Sequence, residues 1–598
     1  MLNEQGQDFY GFVHKTFQEY LCAEEIDYQQ DNEGDFDIVL KAIREHLHES
    51  HWREVLLLLI AQQKPKKAAK AIRAVLHNQS DYEQWLHRDL FFAADCLAED
   101  PKNLMTADSS LPQEIIKRLV ELEVSDRDRV GEKVKEQVYE SLQRLSETAF
   151  EEQALQLIKD CAEEISEDRL FRYRKELGDR NPMVQEQLER LSDKDSEVRS
   201  RAASALRDLG VASDSVIQAL LDRLTDEDSM VRSRAAMALE ELGVVSDSVI
   251  QALRDRLTDE DAEVRSGAAS ALRKLGVASD SVIQALLDRL TDEDSLVRSR
   301  AASALGELGV ASDSVIQALR DRLTDEDSLV RYKAVSVLRK LGIASDLVLQ
   351  ALLDLLRDQS DLVGLAELVA ASILRELEVA SDSAFIQALL DQLTDEVSLV
   401  RYKAAMALEE LGVASDSVIQ ALLDRLTDED SMVRSVAASA LGELGVASDS
   451  VIQALLDRLT DEDSMVRSGA ASALGELGVA SDSVIQALLD RLGVASDSVI
   501  QALLDQLTDE DYMVRSGAAS ALGELGVASD SVIQALLDRL TDEDYMVCSG
   551  AAIALGNLAH KSPSIIPQLV AWIEQHQGSD YLGNGIDALW VAVVDKSD

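Results

Sequence analysis

A repeat of about 33 residues occupies most of the chain from about residue 191 onward and limits what the chain can fold into. One copy reads LTDEDSMVRSRAAMALEELGVVSDSVIQALRDR, and its first threonine recurs at a nearly constant spacing. The recurring positions are Thr225, Thr258, Thr291, Thr324, Thr394, Thr427, Thr460, Thr508 and Thr541. A period of this length indicates one supersecondary unit stacked many times, in which no copy can bury its apolar face alone. We therefore expect one continuous core along the repeats.

Each repeat is predicted to contain two amphipathic helices. In one copy, Val231 and Ala235 begin an apolar stripe with helical spacing and Gly243 supplies the stop, which defines helix A. Ser246 or Asp247 then offers an N-cap for a second helix with its own apolar stripe, helix B. Helices about twelve residues long are marginal in water by themselves, so contacts with neighbouring repeats must hold them.

Charged and sulfur-containing residues recur at fixed positions of helix A. Asp228 precedes Arg232 by four residues, and this acid-first order predicts an exposed ion pair worth about 0.3–0.5 kcal/mol. The alternative is a ladder of arginines that binds an anionic ligand.

A recurring methionine is expected to fill the core. It stands at Met230, Met432, Met465, Met513 and Met546.

The VRSxAAxALxxLG pattern of helix A, followed by a short helix B, resembles the short HEAT repeats that are also called bilin-lyase-type HEAT repeats. The resemblance covers about Leu191 to Leu558 and recurs throughout that range. It implies an all-α fold, an α-solenoid with the A helices on one face and the B helices on the other.

Some proteins with short HEAT repeats are enzymes, and the residues here argue against that function. Di-iron deoxyhypusine hydroxylases carry His-Glu pairs inside their repeats, whereas the one such pair in this chain, His48 and Glu49, precedes the array. The array from Leu191 to Ala559 contains no histidine, and its one cysteine is Cys548. We therefore expect no catalytic residue, no metal and no cofactor in the array, and an enzyme of the bilin-lyase type is the least favoured alternative.

The period is irregular in two places. Near residues 357–394 the copy is degenerate and longer than its neighbours, which predicts a local bend. Near residues 478–508, Leu492 is followed directly by Gly493, and the sequence of the helix A expected between them is absent. Loss of one helix from an alternating pair would reverse the direction of those that follow, so we predict a dislocation there. Recombination or mis-assembly among near-identical DNA repeats is the alternative origin of this second irregularity.

The segment before the array, residues 1–190, lacks the period and is a different module. Amphipathic stretches predict helices throughout, with prolines as breaks and no signal for strands. The stretches are Asp37 to Leu47, His51 to Gln62 and Pro112 to Leu122, and the breaks are Pro65, Pro101 and Pro112. The predicted organisation is residues 1–30 as one short segment, residues 31–190 as a helical linker region and residues 191–598 as the solenoid.

The segment FVHKTFQEYLCAEE, from Phe12 to Glu25, resembles the FxHxxFQEYxAA segment of NACHT-type STAND NTPases. In that family the segment closes the winged-helix part of a nucleotide switch, and its histidine approaches the phosphate of bound ADP. The resemblance therefore implies a cofactor-binding position at His14 and makes residues 1–30 a remnant of the switch. HWREVLLLLIA (His51 to Ala61) and LFFAADCLAE (Leu90 to Glu99) are similar to helices that follow the switch in bacterial, cyanobacterial-type members.

The NTPase core of that family is missing from the sequence. A phosphate-gripping loop needs a run such as GxxxxGK[ST], and the 598 residues contain none. His14 alone cannot bind or hydrolyse a nucleotide. We expect the chain to be the carboxy-terminal, ligand-sensing half of a STAND-type signalling or defence protein whose NTPase half is separate. The alternative is an autonomous HEAT-repeat adaptor that carries a remnant of the switch.

The formal net charge of −52 restricts the partners. Phosphate contacts rely on Lys and Arg, so an acidic surface disfavours nucleic acid and favours a basic or extended protein or peptide. The four cysteines form no CxxC pair, which fits a reducing compartment. The longest apolar run, Val55 to Ala61, is too short to cross a bilayer, so we expect a cytoplasmic protein without a membrane partner.

Recognition is the function that these patterns favour, and the outer face of the B helices is the predicted binding surface. Glutamine and aspartate recur there in two rows, which predicts an acidic, hydrogen-bonding trough on the concave side of the solenoid. In the earlier repeats the rows are Gln218, Asp222, Gln251, Asp255, Gln284, Asp288, Gln317 and Asp321. The trough lacks the Trp, Tyr and Arg that anchor tight interfaces, so affinity per repeat is expected to be low.

Overall fold

The computed structural model describes residues 2–6, 9–12, 15–343, 383–479 and 496–595. The described chain is helical apart from one hairpin, which confirms the predicted all-α solenoid class. It divides into two compact units. Unit 1 comprises Met1–Met183 with Leu536–Asp598, and unit 2 comprises Val184–Ala535. The sequence did not predict that the end of the chain groups with its beginning in one unit.

The chain begins with two antiparallel strands, β1 (Leu2–Gly6) and β2 (Phe9–Phe12), in which Leu2 lies opposite Phe12. Aromatic residues such as those of β2 are enriched in strands. The prediction that the module before the array is helical throughout was wrong at this point.

Thirteen helices follow in the described part of the chain up to residue 190. They are α1 (Lys15–Glu33), α2 (Asp37–His46), α3 (Arg53–Ala61), α4 (Pro65–Leu76), α5 (Glu83–Leu86), α6 (Arg88–Ala98), α7 (Leu104–Ala107), α8 (Ser110–Val124), α9 (Arg127–Val130), α10 (Glu132–Gln143), α11 (Glu151–Asp160), α12 (Glu167–Glu176) and α13 (Arg180–Arg190). Short 3-10 turns occupy Ser50–Trp52 and, in a later repeat, Arg322–Thr324.

The repeats before residue 343 form a first array in which A and B helices alternate. Its helices are α14 (Ser196–Leu209), α15 (Asp214–Arg223), α16 (Ser229–Glu241), α17 (Asp247–Arg256), α18 (Ala262–Lys274), α19 (Asp280–Arg289), α20 (Ser295–Glu307), α21 (Asp313–Asp321) and α22 (Ser328–Lys340). The even-numbered helices are A helices and the odd-numbered helices are B helices.

The repeats from residue 383 onward form a second array with the same alternation. Its helices are α23 (Ser383–Gln392), α24 (Ser398–Leu411), α25 (Asp416–Arg425), α26 (Ser431–Glu443), α27 (Asp449–Arg458), α28 (Ser464–Val479), α29 (Ser496–Gln506), α30 (Tyr512–Leu525) and α31 (Asp530–Arg539). Three helices then end the described chain. They are α32 (Tyr545–Lys561), α33 (Ile565–Gln575) and α34 (Leu582–Val593).

Capping residues define the helix ends of each repeat, and the sequence predicted those at Gly243 and at the start of helix B. The Asp228 carboxylate accepts hydrogen bonds from the backbone N–H groups of Met230 and Val231 at the start of α16. Gly243 follows the helix with φ of +63°, a left-handed conformation that favours glycine. Between the two candidates for the cap of helix B, Ser246 accepts the N–H of Val249.

Side chains of Val, Ala and Leu fill the core of unit 2. In α20, Val297, Ala301 and Leu305 are fully buried, as are Val315 and Leu319 of α21. Each buried Val or Leu contributes about 1.5–3 kcal/mol to stability. Successive A helices pack directly on one another, while each B helix packs mainly on an A helix. The small residues of the A helices permit this close approach.

A buried arginine connects one repeat to the next in most of the A helices. Arg265 of α18 is 6% exposed, and its Nε and Nη2 donate to Oδ2 and Oδ1 of Asp292 at 3.0 and 2.7 Å. Its Nη1 donates to the carbonyl oxygens of Asp259 and Glu260 at 2.9 and 3.1 Å. The same bridge recurs as Arg199–Asp226, Arg232–Asp259, Arg298–Asp325, Arg401–Asp428 and Arg434–Asp461.

These bridges correct the predicted role of the arginines. Asp228 caps its helix instead of pairing with Arg232, and Arg232 reaches the aspartate of the following repeat, Asp259. The pair is therefore buried and bidentate rather than exposed. Because each guanidinium is already engaged inside the core, these arginines do not form a ladder for an anionic ligand.

The aspartate of the bridge stays ionised because of its hydrogen bonds. Burial by itself raises the pKa of Asp292, but the hydrogen bonds from Arg265 and from the N–H of Asp294 outweigh it, so that the pKa lies below its ordinary value. The bridge thus places two full charges between adjacent repeats.

The A helices continue in register on both sides of residues 480–495. Arg467 of α28 bridges to Asp509 at 2.7 Å, across 42 residues of sequence instead of the 27 residues found in Arg434–Asp461. Ser468 Oγ donates to the carbonyl of Met513, as Ser435 Oγ donates to that of Met465. The described helices therefore do not show the reversal predicted near 478–508. Residues 480–495 lie outside the described residues, as do residues 344–382, which include most of the predicted bend near 357–394.

The C-terminal helices of unit 1 pack on its N-terminal helices. Asp587 of α34 accepts hydrogen bonds from the backbone N–H groups of Glu132 and Lys133, at 3.1 and 2.9 Å, and so caps the start of α10. Trp590 meets Phe91 edge to face, with ring centroids 5.9 Å apart. These contacts join segments that are far apart in the sequence.

Replacing Arg265 by Ala is expected to destabilise the repeats on either side by about 1.5–3 kcal/mol, because buried Asp292 would lose its bidentate partner and keep only the single hydrogen bond from Arg289, at 3.0 Å, as a contact with a cation among the described residues. Hydrogen exchange in α18 and α20, together with urea unfolding, measures the loss. The matched control is Arg201→Ala in an exposed pair with Glu197, for which the expected cost is below about 1 kcal/mol. Equal losses in the two variants would show that the bridge does not hold the repeats together.

Candidate protein-interaction surface

The predicted binding row lies on the exposed face of the B helices, and the structure joins its two components. In the first array the amide Nε2 of each glutamine donates to the carboxylate of the aspartate four residues later. The pairs are Gln218–Asp222 at 2.9 Å, Gln251–Asp255 at 2.6 Å, Gln284–Asp288 at 2.9 Å and Gln317–Asp321 at 2.9 Å. These hydrogen bonds lie at the exposed surface. Each repeat therefore presents one hydrogen-bonded acid–amide pair to solvent.

The row extends into the second array with the same geometry. Its pairs there are Gln387–Asp391, Gln420–Asp424, Gln453–Asp457 and Gln501–Asp505, at 2.9–3.0 Å. Because the closest packing between repeats runs along the A helices, the B helices leave this row uncovered among the described residues. Its position on a concave side stays a prediction.

The recurring methionines of the A helices are exposed, so the prediction that they fill the core was wrong. Met432, Met465 and Met513 are 46%, 45% and 42% exposed, and Met230 and Met546 are similarly accessible. Each is the second residue of its helix, in the capped first turn, and the valine that follows it is the residue buried in the core. The helical stripe that starts at Val231 was predicted correctly, and the methionine lies outside it.

The two arrays differ in the charges at the C-terminal ends of the A helices. In the first array positive and negative side chains alternate from repeat to repeat. Arg273 donates to Glu307 of the next A helix at 2.5 Å, and Lys274 pairs with Glu241 of the preceding one. The first array therefore neutralises its own charges on this face.

The second array has carboxylates alone at these positions. They are Glu409, Glu410, Glu443, Glu476 and Glu524. The Glu476 side chain lies over Gly442 of the preceding A helix, where an added Cβ would be 2.6 Å from Glu476 Oε2. That oxygen is buried and has no hydrogen-bond partner in the described part of the chain. Glu524 lies over Gly475 in the same way.

Burial and the repulsion of neighbouring carboxylates make Glu409 and Glu476 harder to ionise. Burial, followed by the charges of Glu443 and Glu524, raises the pKa of Glu476 to about 7. Burial, followed by the charges of Glu443, Glu410 and Glu476, raises the pKa of Glu409 to about 7. Like charges one repeat apart thus interact along this face of the second array.

The nucleotide position implied by the sequence, His14, lies outside the described residues. The neighbouring segment begins α1 at Lys15, directly after the short gap that follows β2. The two later segments with the same resemblance form α3 and α6, whose apolar residues Leu56, Ile60, Leu90 and Leu97 belong to the core of unit 1.

A cluster of Ser80, His48 and Asp89 in unit 1 has the residue types of a nucleophilic triad but not its geometry. The Ser80 hydroxyl donates to Asp89 Oδ1 at 2.6 Å, and the same nitrogen of His48, Nε2, lies 2.8 Å from Asp89 Oδ1 and 3.0 Å from Ser80 Oγ. A relay needs one ring nitrogen toward the hydroxyl and the other toward the acid. Burial lowers the pKa of His48. The cluster is a hydrogen-bond network at the edge of a cavity of about 860 Å³.

None of the helices in the described ranges combines the length and the apolar character needed to cross a bilayer.

Comparison with protein families matches this chain to the family described as HEAT repeats. The matched segments are residues 184–273, 283–371, 366–442, 419–503 and 500–589. A comparison with curated proteins gives no match.

A comparison with solved structures gives several matches of low sequence identity. Importin beta is 16% identical, with 97% of this chain and 82% of that chain covered and a TM-score of 0.40. Kap95 in its complex with Nup1 is 13% identical, with 96% and 86% covered and a TM-score of 0.42. An engineered protein is 25% identical, with 69% and 98% covered and a TM-score of 0.21.

Replacing Glu476 by Gln is expected to stabilise the second array at high pH. A carboxyl with a raised folded-state pKa stabilises the fold while it is protonated, and this contribution is lost as the pH rises through about 7. After allowance for partial exposure, the gain is about 1 kcal/mol near pH 8.5 and close to zero near pH 4. Thermal unfolding at the two pH values measures it. Glu462→Gln, whose side chain is 92% exposed, is the control and should shift neither midpoint, and a pH-independent effect of Glu476→Gln would contradict the prediction.

Proposed function

Because this chain belongs to the HEAT-repeat family, we propose that it is a non-catalytic scaffold that binds protein partners along its repeats. The observation that carries this proposal is the row of exposed Gln–Asp pairs on the B helices. The core residues beneath them repeat almost without change, so successive pairs have the same geometry. Such a row is suited to a ligand that makes the same contact several times.

The chemistry of the row favours a basic or extended polypeptide. Each aspartate keeps one carboxylate oxygen for a partner while the other accepts from its glutamine. The net charge of −52 attracts a basic chain over a distance and opposes the approach of nucleic acid. Exposed charges of this kind contribute little each, so affinity accumulates over several repeats.

At a finer level, the chain is the ligand-sensing half of a STAND-type signalling or defence protein, and its NTPase half is a separate partner. Three segments of unit 1 support this, namely Phe12 to Glu25, His51 to Ala61 and Leu90 to Glu99, which resemble the end of that switch and the helices after it. A ligand bound to the repeats would act on the NTPase by binding its two states with different affinity. The scaffold would be cytoplasmic.

An autonomous HEAT-repeat adaptor is the second candidate. Asp587 of α34 caps α10, so the N-terminal helices already have a structural role as the packing partner of the C-terminal helices. That role requires no nucleotide switch.

Neutralising the row in both arrays is expected to weaken binding of a basic extended peptide. The probe is a fluorescent peptide of lysine and proline, since proline keeps it extended. The variant carries Asp255→Asn, Asp288→Asn, Asp321→Asn, Asp424→Asn, Asp457→Asn and Asp505→Asn, and fluorescence anisotropy should show a loss of about fivefold. The matched control has the same change in net charge at exposed glutamates outside the row and should lose less than about twofold. It carries Glu227→Gln, Glu260→Gln, Glu293→Gln, Glu326→Gln, Glu429→Gln and Glu462→Gln. Equal losses would assign the binding to overall charge and contradict a site on the row.

The isolated chain is expected not to bind ADP, because it has no glycine-rich phosphate loop to accompany His14. Isothermal titration with ADP and Mg²⁺ tests this. Heat of binding that disappears in His14→Ala would contradict it.

Sequencing the DNA upstream of the Met1 codon separates the two candidates, since a GxxxxGK[ST] run there or in a neighbouring gene supports the sensing half and its absence supports the adaptor.

A further inference from the structure

One face of the A helices in the second array combines three kinds of side chain in a fixed order. In α26, Met432, Val436, Ser439 and Glu443 follow one another at helical spacings of four, three and four residues, which places them on one side of the helix. The same positions hold Met465, Gly469, Ser472 and Glu476 in α28, and Met513, Gly517, Ser520 and Glu524 in α30. We call this surface of α26, α28 and α30 the A-face groove.

The A-face groove has two ridges and a low floor. One ridge is the row of exposed methionines, Met432, Met465 and Met513. The other ridge is the row of glutamates at the opposite ends of the same helices. The floor consists of Val, Gly and Ser, and it is tight, since an added Cβ at Gly469 would lie 3.2 Å from the Ser435 carbonyl oxygen. Eleven residues separate the ridges along each helix, which corresponds to about 16 Å.

The three helices that form the groove are consecutive neighbours. α26 packs on α28, and α28 packs on α30, with the Arg434–Asp461 and Arg467–Asp509 bridges fixing their register. Neighbouring helix axes in such packing lie about 8–10 Å apart. The groove therefore crosses the three helix axes over about 16–20 Å, and its methionines recur at the interval between neighbouring axes.

The charge of the groove is of one sign. Glu443, Glu476 and Glu524 have no ion pair with a cation in the described ranges, and the exposed Glu429 and Glu462 precede Met432 and Met465 by three residues in the sequence. The nearby arginines, Arg434 and Arg467, are turned inward and bound to aspartates. Carboxylates near one another on a partly buried surface favour a cationic partner, because the partner removes their mutual repulsion.

The first array lacks this groove although it has the same fold. Apart from Gly267 in α18, its floor positions hold Arg201, Arg234, Arg300 and Lys333, and its far ridge mixes glutamate with Lys274 and Lys340. Long basic side chains therefore occupy the floor. At the far ridge, Glu307 and Glu241 are neutralised by ion pairs with Arg273 and Lys274. The difference between the arrays lies in the side chains on this face.

We propose that the A-face groove is a docking site for a basic amphipathic helix of a partner protein. The helix lies across α26, α28 and α30, with apolar side chains against the methionines and Lys or Arg side chains against the glutamates. This site lies on the A helices, whereas the Gln–Asp row lies on the B helices, and it does not depend on that row.

The dimensions of the groove fit such a helix. An α-helix with its side chains is about 10–12 Å wide, which fills the space between ridges about 16 Å apart. Residues seven apart on a helix are about 10.5 Å apart, close to the spacing of the methionines. Methionine is well suited to such a contact because its flexible, polarisable side chain adapts to different apolar surfaces. An extended chain would present alternate side chains to opposite sides and would not separate apolar from basic residues across the groove.

The test uses the whole chain and a fluorescent peptide of leucine and lysine, about 18 residues long, patterned to form an amphipathic helix. Gly469→Arg places on the floor the type of residue that the first array has there, and it is expected to weaken binding by about tenfold or more. The control is Gly267→Arg at the equivalent position of the first array, where an added Cβ has more room, 3.7 Å from Ser233 Oγ, and it should alter binding by less than about twofold. Circular dichroism and the thermal midpoint establish that both variants remain folded.

A second pair of variants removes the apolar ridge without altering charge. Met465→Ser is expected to weaken binding by about threefold or more, and Met230→Ser in the first array is expected to have no effect. If Gly469→Arg does not fold, this pair decides the proposal alone. Equal effects in the two arrays would overturn it.

A second peptide distinguishes docking from attraction by net charge. In this probe serine replaces every leucine while the lysines are kept, and it is expected to bind at least about tenfold more weakly. Equal affinity of the two peptides would overturn the proposal, since it would show that charge alone is recognised. The lysine–proline peptide used for the Gln–Asp row should bind Gly469→Arg as it binds the unaltered chain, so failure at one site is distinguishable from failure at the other.

Discussion

The buried bridge between an arginine of one repeat and an aspartate of the next is the interaction on which the array depends. Apolar burial supplies most of the stability, but valine, alanine and leucine recur at the same positions in most copies and do not by themselves fix how one repeat sits on the next. A bidentate pair such as Arg265–Asp292 accepts one geometry, and the arginine also binds two carbonyl groups at the start of its own helix. Each bridge therefore fixes both a helix start and a register. Across residues 480–495, the Arg467–Asp509 bridge keeps that register despite the additional sequence between the two residues.

Because the bridge and the core are constant, the exposed faces are free to differ. The B helices present the same Gln–Asp pair in both arrays, which makes a uniform surface. The A helices of the first array present self-neutralised charges, whereas α26, α28 and α30 present Glu443, Glu476 and Glu524 on the same face as exposed methionines. A scaffold of this construction offers two different kinds of contact on different helices of the same repeats. The acidic face makes two individual carboxyls harder to ionise, since burial and like charges raise the pKa of Glu409 and Glu476 to about 7.

Unit 1 departs from the repeat pattern because its contacts are specific rather than periodic. Asp587 reaches the first turn of α10, and Trp590 packs on Phe91, although neither residue belongs to the repeating pattern. Burial raises the pKa of Asp587 to about 6, and the hydrogen bonds from backbone N–H groups offset part of that rise. The aromatic-rich start of the chain likewise forms a hairpin where a helix was expected.

The sequence alone determined the period, the two helices of each repeat, the stop at Gly243, the cap of helix B at Ser246 or Asp247, and hence the solenoid class. These are local properties, set by residues within one turn of one another. It also predicted that the Gln and Asp rows lie on the outer face of the B helices, where i and i+4 residues share a side of the helix. The sequence did not show which aspartate forms the ion pair with Arg232. Asp228 is nearer in the sequence, whereas Asp259 is nearer in the folded structure. For the same reason the burial of the arginine, the exposure of the methionines, the crowding of Glu476 over Gly442 and the packing of α34 on α10 were decided only by the tertiary structure, which sets distances between residues that the chain order leaves far apart.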